Sequence, residues 1–101
     1  FWIGLTGVCL SLAATGAKAE VDRARLIDLV VQECGSCHGL TLRGGLGRPL
    51  TPESLHDRPA DLVRDIILDG LPGTPMPPWR PLLTEKEAAT IADMLKTGVV
   101  P

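Results

Sequence analysis

The sequence predicts an all-α domain, and three observations carry that expectation. Apolar residues recur at helical spacing in three separate runs, within residues 21–32, 62–67 and 88–95. Capping and proline signals stand ahead of the later runs, at Thr51-Pro52, Pro59 and Thr84. No segment sustains the alternation of a half-buried strand, and no pair of β-branched runs flanks a hairpin turn.

Each element follows in order. Ala24, Ile27 and Val31 fall at i, i+3 and i+7, with Leu26, Leu29 and Val30 widening the face and Arg23, Arg25 and Asp28 on the other side, which predicts a first amphipathic helix. Residues 35–47 hold five glycines and are expected to form a loop. Thr51 followed by Pro52 predicts a short helix with its cap outside and a proline in its first turn, and Pro59 is expected to start a further helix in the same way. Leu62, Val63, Ile66 and Ile67 make the apolar stripe of that helix, which Gly70 ends. Residues 71–83 contain five of the nine prolines and cannot be the interior of a helix or sheet. Thr84 and Glu87 have the spacing of a capping box, followed by Ala88, Ile91, Ala92 and Leu95 on one face and Gly98 as the stop.

With 101 residues the chain has room for one small domain, which excludes a multidomain or solenoid architecture. Twelve acidic residues against ten basic ones, with no run of five like charges, exclude the electrostatic footprint of a nucleic-acid binder.

Residues 1–16 are apolar and uncharged, too short a run for a membrane span of about 20 residues, and Ala17-Lys18-Ala19 has the small-x-small form of a cleavage site. Residues 1–19 are therefore expected to be a secretory signal peptide, begun inside the precursor since neither an initiator Met nor a basic n-region precedes it. Cys9 within it is preceded by Val8 where a lipoprotein signal needs a small residue, so lipidation is not expected. Cleavage leaves residues 20–101 as the mature domain, with nine basic and twelve acidic side chains, two cysteines and one aromatic, Trp79. A domain of that size and composition needs a disulfide, a metal or a large cofactor to complete its core.

Cys34-Gly35-Ser36-Cys37-His38 is C-x-x-C-H. Two thiols at i and i+3 add across the two vinyl groups of a haem, and the adjacent imidazole reaches the iron. The competing reading of this spacing is a C-x-x-C thiol oxidoreductase, which needs no histidine at the fifth position and usually sits in a βαβ pattern that this chain lacks. Iron held by His38 needs a ligand on its other face, for which the mature chain offers Met76, Met94 and His56. Met76, between Pro75 and Pro77-Pro78, is held in an extended strap and is the expected ligand. Met94 falls in the last helix as filler, and His56 reads as an exposed turn residue, which leaves His56 or an open sixth site as the alternatives. Trp79 is expected either to donate its indole N–H to a haem propionate or to pack on the ring. Arg43, Arg48, Arg58 and Arg80 are candidate rim charges or propionate partners.

These residues resemble class I cytochromes c over essentially the whole mature chain. The resemblance implies a small fold of three to four helices wrapped around one covalently bound haem, with the first helix leading into C-x-x-C-H and the last crossing the first. It also implies a proline whose backbone carbonyl accepts the axial histidine's ring N–H, and Pro49, 11 residues after His38, is the matching position. An aromatic that many members carry in the last helix is absent here, so that interface is expected to rest on Ala88, Ile91, Ala92 and Leu95. More narrowly, CGSCHGLTLRGGLGRPLTPESL and GLPGTPMPPWRPLLTEKEA are similar to the small cytochromes encoded beside cytochrome cd nitrite reductase in denitrifying bacteria. That similarity implies a monomeric periplasmic carrier, free of the membrane once its signal is cut, that delivers electrons to the reductase or serves the maturation of its special haem. A haem with both axial positions filled by protein leaves no place for substrate, so one-electron transfer rather than catalysis is expected; a ligand sensor would require Met76 to be absent from the iron.

Overall fold

In a computed structural model, residues 21–98 and Gly7 are described, and among them every regular element is helical. The expected signal peptide, Gly7 apart, and the last three residues lie outside the described residues.

The first helix α1 (Arg23–Leu29) starts where the Asp22 carboxylate accepts the Arg25 backbone N–H at 3.1 Å. It passes without a break into a π-helical turn (Val30–Cys34) and then α2 (Gly35–His38). The glycine-based expectation of a loop from residue 35 is therefore corrected: the loop begins at Gly39, because α2 inherits a helix already nucleated upstream, and propagating a helix is far easier than starting one. The buried side of this segment is Leu26 and Val30, whereas Ala24 is exposed and Ile27, Leu29 and Val31 are half-buried.

Thr51 accepts the Ser54 N–H at 3.3 Å and caps α3 (Pro52–Leu55). Pro59 stands one position before α4 (Ala60–Asp69), as its N-cap and not as its first helical residue. The face α4 buries is Val63, Ile67 and Leu68; Ile66 is half-buried and Leu62 is exposed, so the stripe is rotated from the one the period suggests. The final helix α5 (Glu85–Thr97) has the expected capping box, with Glu87 N–H donating to Thr84 Oγ1 at 3.1 Å and Thr84 N–H to Glu87 Oε1 at 2.9 Å, and Gly98 in the left-handed region at its end.

The core is made chiefly by α5 on α4, with α1 and α3 against α5. Ala88, Ile91, Ala92 and Leu95 are all buried, and Met94 joins them as a core side chain rather than a surface one. Small alanines at positions 88 and 92 let α5 approach its neighbours closely without an aromatic wedge. Glu87 does a second job by pairing through Oε2 with Arg25 of α1, which ties the start of α5 to the first helix. Thr84→Ala is expected to lower stability by about 1 kcal/mol, the usual loss for a cap, measured as a fall in denaturant midpoint with an unchanged slope.

Candidate functional site

Between the first helical segment, α4 and the proline-rich connection lies a cleft of about 590 Å³. Cys34, Cys37 and His38 line one side, Leu50, Leu55 and Leu95 the floor, Val63, Ile66 and Ile67 a second side, and Leu71, Pro75, Met76, Pro77 and Trp79 the rest. The charged side chains on it are Glu33, Arg48 and Arg58. A largely apolar cleft of this size suits a cofactor or small ligand.

His38 sits at the last turn of α2, where the loop folds back under it. Gly47 N–H donates to the Cys37 carbonyl at 2.7 Å and Gly44 N–H to the His38 carbonyl at 2.8 Å, so loop amides satisfy the carbonyls that the helix end leaves open. The same loop supplies the imidazole's partner: Nδ1 lies 2.7 Å from the Arg48 carbonyl oxygen. Pro49 was the expected donor of that carbonyl, and the structure moves the role back by one residue. The proline still matters, because its ring pushes the preceding residue into extended backbone and thereby aims the Arg48 carbonyl. A carbonyl can only accept, so Nδ1 carries the hydrogen, and Nε2 keeps the lone pair that a metal needs.

Gly47, which the sequence marks only as one of the five glycines of residues 35–47, is a residue of the site. A Cβ there would stand 2.6 Å from His38 Cε1 and 2.7 Å from Nδ1, so the bare backbone at 47 is what allows the ring its place. Gly47→Ala is expected to push the imidazole off the Arg48 carbonyl and to lower stability by about 1–3 kcal/mol, the range for overpacking, seen as a lower Tm.

Met76 is held by backbone on both sides. Its carbonyl accepts Leu71 N–H at 3.2 Å and its own N–H donates to Thr74 Oγ1 at 3.3 Å. Downstream, Trp79 and Arg80 donate their N–H groups to the Ile67 and Leu68 carbonyls, both at 3.0 Å, and pin the strap to the end of α4. Gly70, expected only as a helix stop, has a second duty: at φ +72 its missing Cβ would lie 2.8 Å from the Met76 carbonyl oxygen. The other two candidates for the sixth position are elsewhere. His56 is exposed and outside the cleft lining, and Met94 is fully buried in α5 without lining the cleft.

Burial pushes the Cys34 thiol up to about 11, with the neighbouring Glu33 charge adding to the effect, so it is a neutral thiol at pH 7. Both cysteines are free and half-buried rather than paired with each other. Of the four arginines, Arg80 is engaged by Asp69 at 2.8 Å and by Glu85 at 3.4 Å, and Arg43 does not line the cleft. Arg48 and Arg58 do line it. Trp79 is half-buried, and its indole N–H makes no hydrogen bond among the described residues.

An all-α frame with two free thiols, an imidazole of fixed tautomer and a strapped thioether on one apolar cleft defines a c-type cytochrome. Residues 22–95 match the family described as cytochrome C oxidase, cbb3-type, subunit III, and the chain belongs to that family. Its cofactor is haem c, bound covalently, and the donor set and apolar walls of the cleft fit that group. Among individual proteins the chain is 56% identical over 90 residues to cytochrome c55X of Paracoccus denitrificans (strain Pd 1222), covering 85% of this chain and 87% of that protein. Among solved structures it is similar to the c-type cytochrome NirC, with TM-score 0.76 and 48% identity over 78% of this chain and 94% of that one. A further likeness, TM-score 0.64 and 35% identity, covers 68% of this chain but 15% of the dihydro-heme d1 dehydrogenase NirN in complex with DHE.

Proposed function

We propose that the chain is a periplasmic monohaem electron carrier, with Cys34 and Cys37 forming the thioether links, His38 and Met76 as the axial iron ligands, and nitrite reductase as the electron acceptor in denitrification. The observation that carries this reading is the convergence of His38 and Met76 on one apolar cleft, each held by backbone bonds that do not depend on the cofactor. When bound, the haem supplies a single electron by cycling between ferrous and ferric iron.

The chain's own residues set the terms of that exchange. His38, its Nδ1–H on the Arg48 carbonyl, presents Nε2 in a fixed orientation, so little rearrangement accompanies a change of charge. The soft Met76 sulfur favours the ferrous state, and the apolar walls disfavour extra positive charge, so both raise the potential. If His38 and Met76 both hold the iron, no coordination site would be left for a substrate. Trp79, Arg48 and Arg58 line the cleft, and this supports them as partners of the haem carboxylates. The acceptor is inferred from the similarity to cytochrome c55X and NirC together with the resemblance to cytochromes encoded beside cytochrome cd nitrite reductase. Periplasmic location rests on the signal-like residues 1–19 and on the secreted context that C-x-x-C-H implies.

The test is the optical spectrum of the periplasmically matured protein, ferric and ferrous, with and without carbon monoxide. A far-red sulfur-to-iron band and no response to carbon monoxide are expected. A Soret band that shifts on adding carbon monoxide overturns the carrier reading in favour of a ligand sensor. The likeness to part of a dihydro-heme d1 dehydrogenase favours a second reading, service to the maturation of the reductase's haem. Deleting the gene separates the two: loss of a carrier leaves the reductase with its full cofactor set, and loss of a maturation factor leaves it cofactor-poor.

A further inference from the structure

Lys96, in the last turn of α5, is half-buried, and its ammonium donates to the carbonyls of Leu55, at 2.9 Å, and Arg58. These acceptors lie 41 and 38 residues away in sequence, across the last carbonyl of α3 and the turn that follows it. The turn is also closed by Arg58 N–H on the Leu55 carbonyl at 3.0 Å. Both residues it joins line the haem cleft, Leu55 with an apolar side chain and Arg58 with a cation.

Arg58 is available in a way that its neighbours are not. Among the described residues its guanidinium makes no ion pair or hydrogen bond, whereas Arg80 is held by two carboxylates and Arg48 reaches Ser54 Oγ and the Ser54 carbonyl at 3.4 Å. Haem carries two carboxylates, and an apolar cleft accepts such charges only when they are paired. We propose that Lys96 is a positioning residue: by clamping the Leu55–Arg58 turn it holds the Arg58 guanidinium at the cleft, where it pairs with a haem carboxylate and favours the ferrous state. The proposal rests on the haem occupying this cleft. Glu33, His38 and Arg48 are the other titratable or charged side chains facing the cleft besides the two cysteines, and all belong to the α1–α2 side or the loop after it, not to the clamped turn.

A double-mutant cycle on the holoprotein tests it. K96M and R58Q are each expected to lower the ferrous-to-ferric ratio at a fixed solution potential by about three- to tenfold, the scale of one unit charge at the effective dielectric of a protein cleft. K96R keeps charge and donors and is expected to restore the native ratio. Added to R58Q, K96M is expected to change the ratio no further, since the clamp acts through Arg58. A native ratio in K96M overturns the proposal, and so does a K96M effect that persists in full on the R58Q background, which marks a direct charge or a general loosening of the fold. If K96M does not accumulate as holoprotein, K96L, which likewise loses both the charge and the donors, enters the same cycle with the same criteria. Unaltered protein that binds no haem covalently overturns the cytochrome reading itself, and that is seen before any variant is compared.

Discussion

His38→Ala is expected to abolish stable holoprotein, with haem content in periplasmic extracts, assayed as the pyridine adduct, falling to background. The imidazole bears three separate demands. In the proposed centre it would offer Nε2 to iron, and in the structure it ties α2 to the following loop through the 2.7 Å contact with the Arg48 carbonyl while its ring fills the space that Gly47 leaves open. Loss of a partner one shell out from a metal typically costs about 10–100-fold in metal affinity, and removal of the ligand itself exceeds that. Cys34 and Cys37 still offer thiols in this variant, so any haem that is attached lacks its nitrogen ligand and sits in a loosened cleft. Normally folded red protein with the unaltered spectrum in H38A would refute the ligand role. Met94 and His56 offer no rescue, since neither lines the cleft.

The parts of this site that were legible in the sequence are those set by local chemistry. The capping box at Thr84 and Glu87, the Thr51-Pro52 start and the Gly98 stop depend on residues within one turn of each other, and each appears where expected. The proline strap around Met76 is legible for the same reason, because proline restricts its own φ wherever it stands. What was not legible depends on contacts between distant residues. In α4 the 3.6-residue period permits several overlapping apolar faces, and packing against α5 chooses Val63, Ile67 and Leu68 while leaving Leu62 in solvent. The acceptor for His38 could not be placed to the residue because every backbone carbonyl is chemically alike; that it belongs to Arg48 and not Pro49 is a matter of loop register. Glycines in the loop signal that something approaches closely, but not what, and at position 47 it is the imidazole. Lys96 carried no signal at all, since its acceptors are main-chain atoms some forty residues away.

Met76→Ala is expected to lower the reduction potential by on the order of 0.1 V, within the roughly 0.8 V that axial ligation spans across haem proteins. It is also expected to open the iron to carbon monoxide, to which the unaltered protein is expected not to respond. The loop should survive the change, because what shapes it is backbone: Leu71 N–H on the Met76 carbonyl, Met76 N–H on Thr74 Oγ1, and the close seat of Gly70 beneath that carbonyl. Pro75, Pro77 and Pro78 restrict the chain whatever side chain stands between them. The variant therefore removes the sulfur while leaving its cradle, and stability is expected to fall less than potential. Two measurements separate this from general damage. Far-UV circular dichroism should match the unaltered protein, and a potentiometric titration should remain a single one-electron wave at a lower midpoint. An unchanged potential with an unchanged spectrum would move the sixth ligand elsewhere. Met76 is the one methionine on the cleft, and His38 its one histidine, so the new ligand would have to come from a rearranged chain.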